Sequence, residues 1–148
     1  MKRVLSIACL LFSAALAVSV SAQGTAAPTA GMKIASDEDY ATHMKEIGQL
    51  NGVLNKSIKG GMADEATKAA ARLEVLFKNI HTYWSDKKVA DATTASQTAV
   101  TSLQGVQKAL GANDMTGAEA ARATLGGTCM SCHTAHREKR PEGGFLIK

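Results

Sequence analysis

Between Val89 and Leu110, small and apolar residues recur at steps of 3, 4, 3, 4, 3 and 4: Val89, Ala92, Ser96, Ala99, Leu103, Val106 and Leu110. An unbroken run of that spacing has one economical solution, a helix with a narrow buried seam. The same period appears three more times. Tyr40, Met44, Ile47, Leu54 and Ile58 share one helical face. So do Ala66, Ala69, Leu73, Leu76, Phe77, Ile80 and Trp84, and then Ala118, Ala121, Leu125, Cys129 and Cys132. Each segment is bounded by stop or start signals. Ser36 with Asp39 has the form of a capping box, Lys59-Gly60-Gly61 is a helix stop, Ser85-Asp86 interrupts the second pattern, and Asn113 or Asp114 suits the N-cap of the fourth. The predicted helices run Asp37 to Lys59, Asp64 to Trp84, Lys87 to Leu110, and from Asn113-Asp114 to about Lys139, ahead of Pro141. Four such segments joined by connections of a few residues must pack antiparallel to their neighbours in sequence. The expected fold is all-α, an up-down-up-down four-helix bundle over residues 36–140. Tyr40, Phe77 and Trp84 are expected in its core, Met44 on the buried face of the first helix, and His43, about 100° off that face, in solvent.

Composition agrees with that reading. Only two prolines and 4% aromatic residues disfavour a sheet, and 45% hydrophobic against 20% charged residues excludes disorder. A net charge of +4, dispersed along the chain, is too slight for a nucleic-acid footprint, so DNA and RNA are excluded as expected partners.

The first 22 residues read differently from the rest. Met1-Lys2-Arg3 is a basic start, Val4 to Val20 is apolar apart from three serines, and Val20-Ser21-Ala22 places small residues at a cleavage site. That is the pattern of a signal peptide, and cleavage is expected after Ala22. Residues 23–35 are rich in Thr, Ala, Gly and Pro without periodicity and read as a flexible lead-in. No later stretch is apolar enough to span a bilayer, so the expected product is exported to the periplasm without stable membrane insertion. Cleavage removes Cys9 and leaves Cys129 and Cys132.

Those two cysteines sit in Cys129-Met130-Ser131-Cys132-His133, the C-x-x-C-H attachment signature of a c-type haem. The spacing has a mechanical reason. Residues three apart on a helix lie about one turn apart on one face, so two thiols reach the two vinyl groups on one porphyrin edge. His133 then presents its imidazole to the iron from the same side. A dithiol redox pair also uses C-x-x-C, but such a pair opens a helix after a strand, and this motif ends a helical chain. A structural zinc site needs two more ligands from His43, His81 or His136, none at a recognised spacing.

With the haem motif on its last helix, followed by Arg137 and preceded by Gly127, the chain resembles the class II c-type cytochromes, the cytochrome c-prime family. The resemblance extends from about Ser36 to Lys139 and includes Lys59-Gly60, Tyr83-Trp84-Ser85-Asp86 and Asn113-Asp114. It implies one covalent haem c on Cys129 and Cys132, with His133 as proximal iron ligand. Arg137 matches the family arginine and is implied to contact a haem propionate or the porphyrin edge; from the sequence alone it is equally a solvated cation at the helix C-terminus. The position facing the other side of the haem falls on Met44, in His43-Met44-Lys45-Glu46-Ile47-Gly48. A methionine there resembles the low-spin branch, in which it ligates the iron, and a thioether ligand raises the haem potential. From periodicity alone Met44 is equally a gap-filling core residue. The implied function is that of an electron carrier with redox-protein partners and no enzymatic activity. The alternative is a five-coordinate protein binding nitric oxide or carbon monoxide. The resemblance also implies a homodimer through the first two helices. His136 stands where the family usually has an aromatic residue, and the tail, residues 141–148, extends past the family pattern. Arg137, Lys139 and Arg140 form a basic end suited to an acidic redox partner.

Overall fold

The computed structural model describes residues 33–141 and 143–148. The expected signal peptide, residues 1–22, and residues 23–32 of the lead-in lie outside the described residues. Four helices pack side by side as a bundle: α1 (Asp37–Lys59), α2 (Ala63–Asp86), α3 (Ala90–Gly111) and α4 (Met115–His136). Three-residue connections force sequential helices antiparallel. No helix among the described residues is long and apolar enough to cross a membrane.

The helix ends follow from local chemistry. Ser36 Oγ accepts from Asp39 N–H while the Asp39 carboxylate accepts from the Ser36 N–H, a complete capping box. That carboxylate also accepts from Ala35 N–H, and Ile34 is buried, so the end of the lead-in is tied down rather than free. Asp114 caps α4 by accepting from Gly117 N–H at 2.8 Å. The predicted start of the third helix is three residues early. Lys88 adopts a left-handed conformation (φ 58°) and Val89 is extended, so neither can belong to α3.

Leu54 of α1, Leu73 and Leu76 of α2, Leu103 and Val106 of α3, and Leu125 of α4 are fully buried. Of the seam read from Val89 to Leu110, every position from Ala92 on is buried, whereas Val89 is half-buried and caps the helix. α3 packs closely on α4, where a Cβ at Gly105 would sit 3.4 Å from Ala121 Cβ. α1 and α4 touch each other far less than the other neighbouring pairs do, which leaves a cleft between them.

α4 ends at His136, not at Lys139. Residues 137–139 form a strand, β1 (Arg137–Lys139), paired antiparallel with β2 (Phe145–Ile147). Arg137 leaves the helix in an extended conformation (φ −124°, ψ 128°), with its N–H bonded back to the His133 carbonyl. Gly143 and Gly144, both at positive φ, then turn the chain back. The Arg137 guanidinium lies 3.9 Å from the Phe145 ring centroid, and Ile147 packs on the core. None of this has a helical period, so the pattern that located α4 extends it too far.

Between α2 and α3 the Glu74 carboxylate accepts from Lys78 (2.8 Å), Gln104 (3.0 Å) and Gln107 (2.7 Å). The Lys78 and Gln107 hydrogen bonds hold its pKa down at about 2, against an ordinary value of 4.5. A carboxyl depressed in the folded state stabilises the fold above the ordinary value and loses that contribution as the pH falls towards 2. Glu74→Gln is therefore expected to cost about 1 kcal/mol at pH 7, a figure held low by solvent reaching the Lys78 ammonium. In urea titrations the difference from wild type should shrink as the pH is lowered from 5 to 3.

Candidate functional site

Cys129, Cys132 and His133 occupy the last turns of α4, half-buried, on the side that faces the cleft. Met130, between the cysteines, is 70% exposed, so the helix turns the motif inward and its spacer outward. Both cysteines are free thiols. From the opposite wall, Met44 and Gly48 of α1, one turn apart, complete the cleft.

Two cavities, of about 130 and 460 Å³, share the lining residues Met44, Gly48, Cys132 and His133. The first runs inward past Cys129 to Phe77 and Ile80 of α2 and Ser96 of α3. The second runs outward past Tyr40 to His136, Arg137 and β2. Its size falls among pockets that hold small molecules, about 300–1,000 Å³. Met44 and His133 thus stand on opposite walls at the junction of an apolar inner space and a more polar outer one.

Burial raises the pKa of both thiols, with the neighbouring Cys132 adding to the effect on Cys129 and the Asp91 carboxylate adding to that on Cys132. A C-x-x-C pair working as a dithiol oxidant has the opposite property, a thiolate favoured by a helix N-terminus. Here the pair lies at the C-terminal end, where the helix dipole disfavours a negative charge. Burial, and then the nearby Arg137, lower the pKa of His133. Both favour the neutral imidazole, the form that keeps a nitrogen lone pair for a metal. Among the described residues no three His, Cys, Asp or Glu side chains converge as a metal-ion cage, zinc included.

Arg137 lines the outer cavity while its guanidinium stacks on Phe145. Tyr40 and Trp84 are buried as expected, with the Trp84 indole N–H donating to Tyr40 Oη at 3.0 Å; Phe77 is buried too. Burial raises the Tyr40 pKa. The ring of His136 lies 5.0 Å from that of Trp84.

His43 is not in solvent. It is 1% exposed, donating from Nδ1 to the Asp39 carbonyl (2.8 Å) and accepting at Nε2 from the Asn79 amide (3.3 Å). The buried arc of α1 is wider than a single seam because the helix meets α2 on one side and the cleft on the other. His43 serves the α2 side, and Met44 is left half-buried at the cleft.

Gly48 and Asn51 belong to the site without having been singled out from the sequence. A Cβ at Gly48 would meet nothing within 4 Å, so the wall is open there, and Asn51 brings an unpartnered buried Oδ1 to the same face. Their spacing from Met44, four and seven residues, was a readable signal. The hairpin wall and Asp91 had none.

Compared with family models, curated proteins and solved structures, the chain matches none.

Proposed function

We propose that this chain is a periplasmic monohaem c-type cytochrome that carries electrons. The observation that carries the reading is that Met44 of α1 and His133 of α4 line the same two cavities, with the free thiols of Cys129 and Cys132 on the His133 wall. The donor set fits haem c: two thiols one turn apart for thioether bonds, a neutral imidazole, and a soft thioether opposite.

When bound, the haem supplies a one-electron iron couple. The chain's own residues do the rest. Cys129 and Cys132 would hold the group by two thioether bonds, and the His133 imidazole and the Met44 thioether are the side chains that would bind its iron. Phe77 and Ile80 exclude water on the inner side, and Arg137 offers guanidinium donors at the outer edge. Two ligands that stayed bound in both oxidation states would keep rearrangement small, which suits transfer rather than substrate turnover.

Absorption spectra of the purified holoprotein test the reading. The wild type is expected to be low-spin, with a sulfur-to-iron charge-transfer band and little response to carbon monoxide. Met44→Ala should lose the band, turn high-spin and bind carbon monoxide. A wild type that is already high-spin and binds carbon monoxide readily would make Met44 a wall residue and the protein a gas binder.

A further inference from the structure

The chain has one tryptophan and two tyrosines in 148 residues, and all three meet in one place. Ring centroids are 4.9 Å apart for Tyr40 and Tyr83, 5.9 Å for Tyr40 and Trp84, and 5.2 Å for Tyr83 and Trp84. The Trp84 indole N–H also donates to Tyr40 Oη at 3.0 Å. Packing alone asks only for rings of that size. Yet the rings gathered here are the ones that give up an electron most readily, whereas phenylalanine, which holds its electrons far more tightly, lines the inner cavity at Phe77.

The triad has two ends. Tyr40 lines the outer cavity with Met44 and His133. Tyr83 lines neither cavity of the site and opens instead onto two surface clefts beside Ile34 and Asp86. The buried Trp84 touches both tyrosines. Electron tunnelling weakens steeply with distance, so rings in contact connect these ends far better than one long jump. We propose that Tyr40, Trp84 and Tyr83 form a one-electron relay, which carries oxidising equivalents from the outer cavity to Tyr83 at the surface when a hydroperoxide reacts in the cleft.

The relay rests on the reading of the cleft as a haem site. Hydrogen peroxide takes two electrons and two protons to become two waters. In the reduced protein the ferrous iron supplies one electron and becomes ferric, and the Tyr83 phenol supplies the other through the triad. The two protons enter at the cavity from solvent, and the phenolic proton of Tyr83 leaves to solvent at the surface. The Lys87 ammonium lies 4.8 Å from the Tyr83 ring centroid and opposes a positive charge there, so the ring comes to rest as the neutral phenoxyl radical. A small thiol in solution can then return a hydrogen atom to Tyr83, becoming a thiyl radical itself and restoring the phenol.

Met44→Ala is the background for the test, because its iron is open to peroxide under the electron-carrier and the gas-binding readings alike. The reduced holoprotein, freed of excess reductant, is mixed with one equivalent of hydrogen peroxide and a nitroso spin trap, and the trapped adducts are located by peptide mass spectrometry. The adduct is expected chiefly on Tyr83. Adding Tyr40→Phe removes the relay member that lines the cavity and should lower the Tyr83 adduct severalfold, and adding Trp84→Phe as well should lower it further. Tyr40→Phe loses only a hydroxyl, so the test does not depend on the more disruptive variant folding. No adduct on Tyr83 in the parent, or an adduct undiminished by Tyr40→Phe, overturns the relay. Absorption spectra of the same samples keep the two readings apart. A protein without haem overturns both, whereas a loaded protein without the expected adducts overturns the relay alone.

Discussion

The Cys129→Ala/Cys132→Ala double variant, produced with the c-type maturation machinery that loads the wild type, is expected to carry no haem through denaturing electrophoresis. The wild type should retain one per chain. Each thiol supplies one attachment, so each single variant should keep a weaker, single-bonded haem signal. Loss of covalent haem is all-or-none in the double variant because no third cysteine remains in the expected mature chain. Its helix content should change little. Both side chains are only half-buried at the edge of the cleft, and the fully buried residues that join the helices, such as Leu73, Leu103 and Leu125, are untouched. The thermal midpoint should nevertheless drop, since the variant loses the apolar surface that an attached haem would bury against the cleft only in the folded chain. A wild type that takes up no haem under those conditions, or a double variant stained as strongly as wild type, would overturn the assignment of the thiols.

How far such expectations reach from the sequence depends on whether a periodic signal exists. The α3 seam is buried at every predicted position from Ala92 to Leu110, since a helix packed on two neighbours must repeat its pattern. Ser36 and Asp114 cap helices as read, because a cap needs one residue type at one offset. The placement of Met44 across from His133 is a product of two separate helical periods brought together by bundle topology, and both periods were legible. What failed was non-periodic. His43 lies on an α1 arc wide enough to serve both α2 and the cleft, and a single-seam reading cannot see the second neighbour. The hairpin beyond His136 rests on a cation–π contact and a glycine turn, and His136 meets Asp91 across 45 residues of sequence.

Trp84→Ala is expected to be the most destabilising single substitution near the site, costing about 3–5 kcal/mol. Trp84 is 2% exposed and meets three other rings: Tyr40 and Tyr83 edge-on, with centroids 5.9 and 5.2 Å away, and His136 at 5.0 Å. Its removal empties the junction of α1, α2 and the end of α4, where Tyr40, Tyr83 and His136 meet the indole. It also leaves Tyr40 Oη without its 3.0 Å donor. Those two losses are separable. Trp84→Phe keeps an aromatic ring for the edge-on contacts and removes the indole N–H, so its cost should be smaller, about 1–3 kcal/mol, and set largely by the stranded Tyr40 hydroxyl. Adding Tyr40→Phe to Trp84→Phe should then recover part of that cost, because neither member of the lost hydrogen bond remains to be desolvated. Urea denaturation of the four proteins measures both terms, and no recovery in the double variant would show that shape, not the hydrogen bond, dominates this junction. Since a domain of this size is held by about 5–15 kcal/mol in total, Trp84→Ala should bring the fold close to its limit. The cleft wall built by Tyr40 and His136 would be the first part to lose its geometry, because both residues contact the missing ring directly.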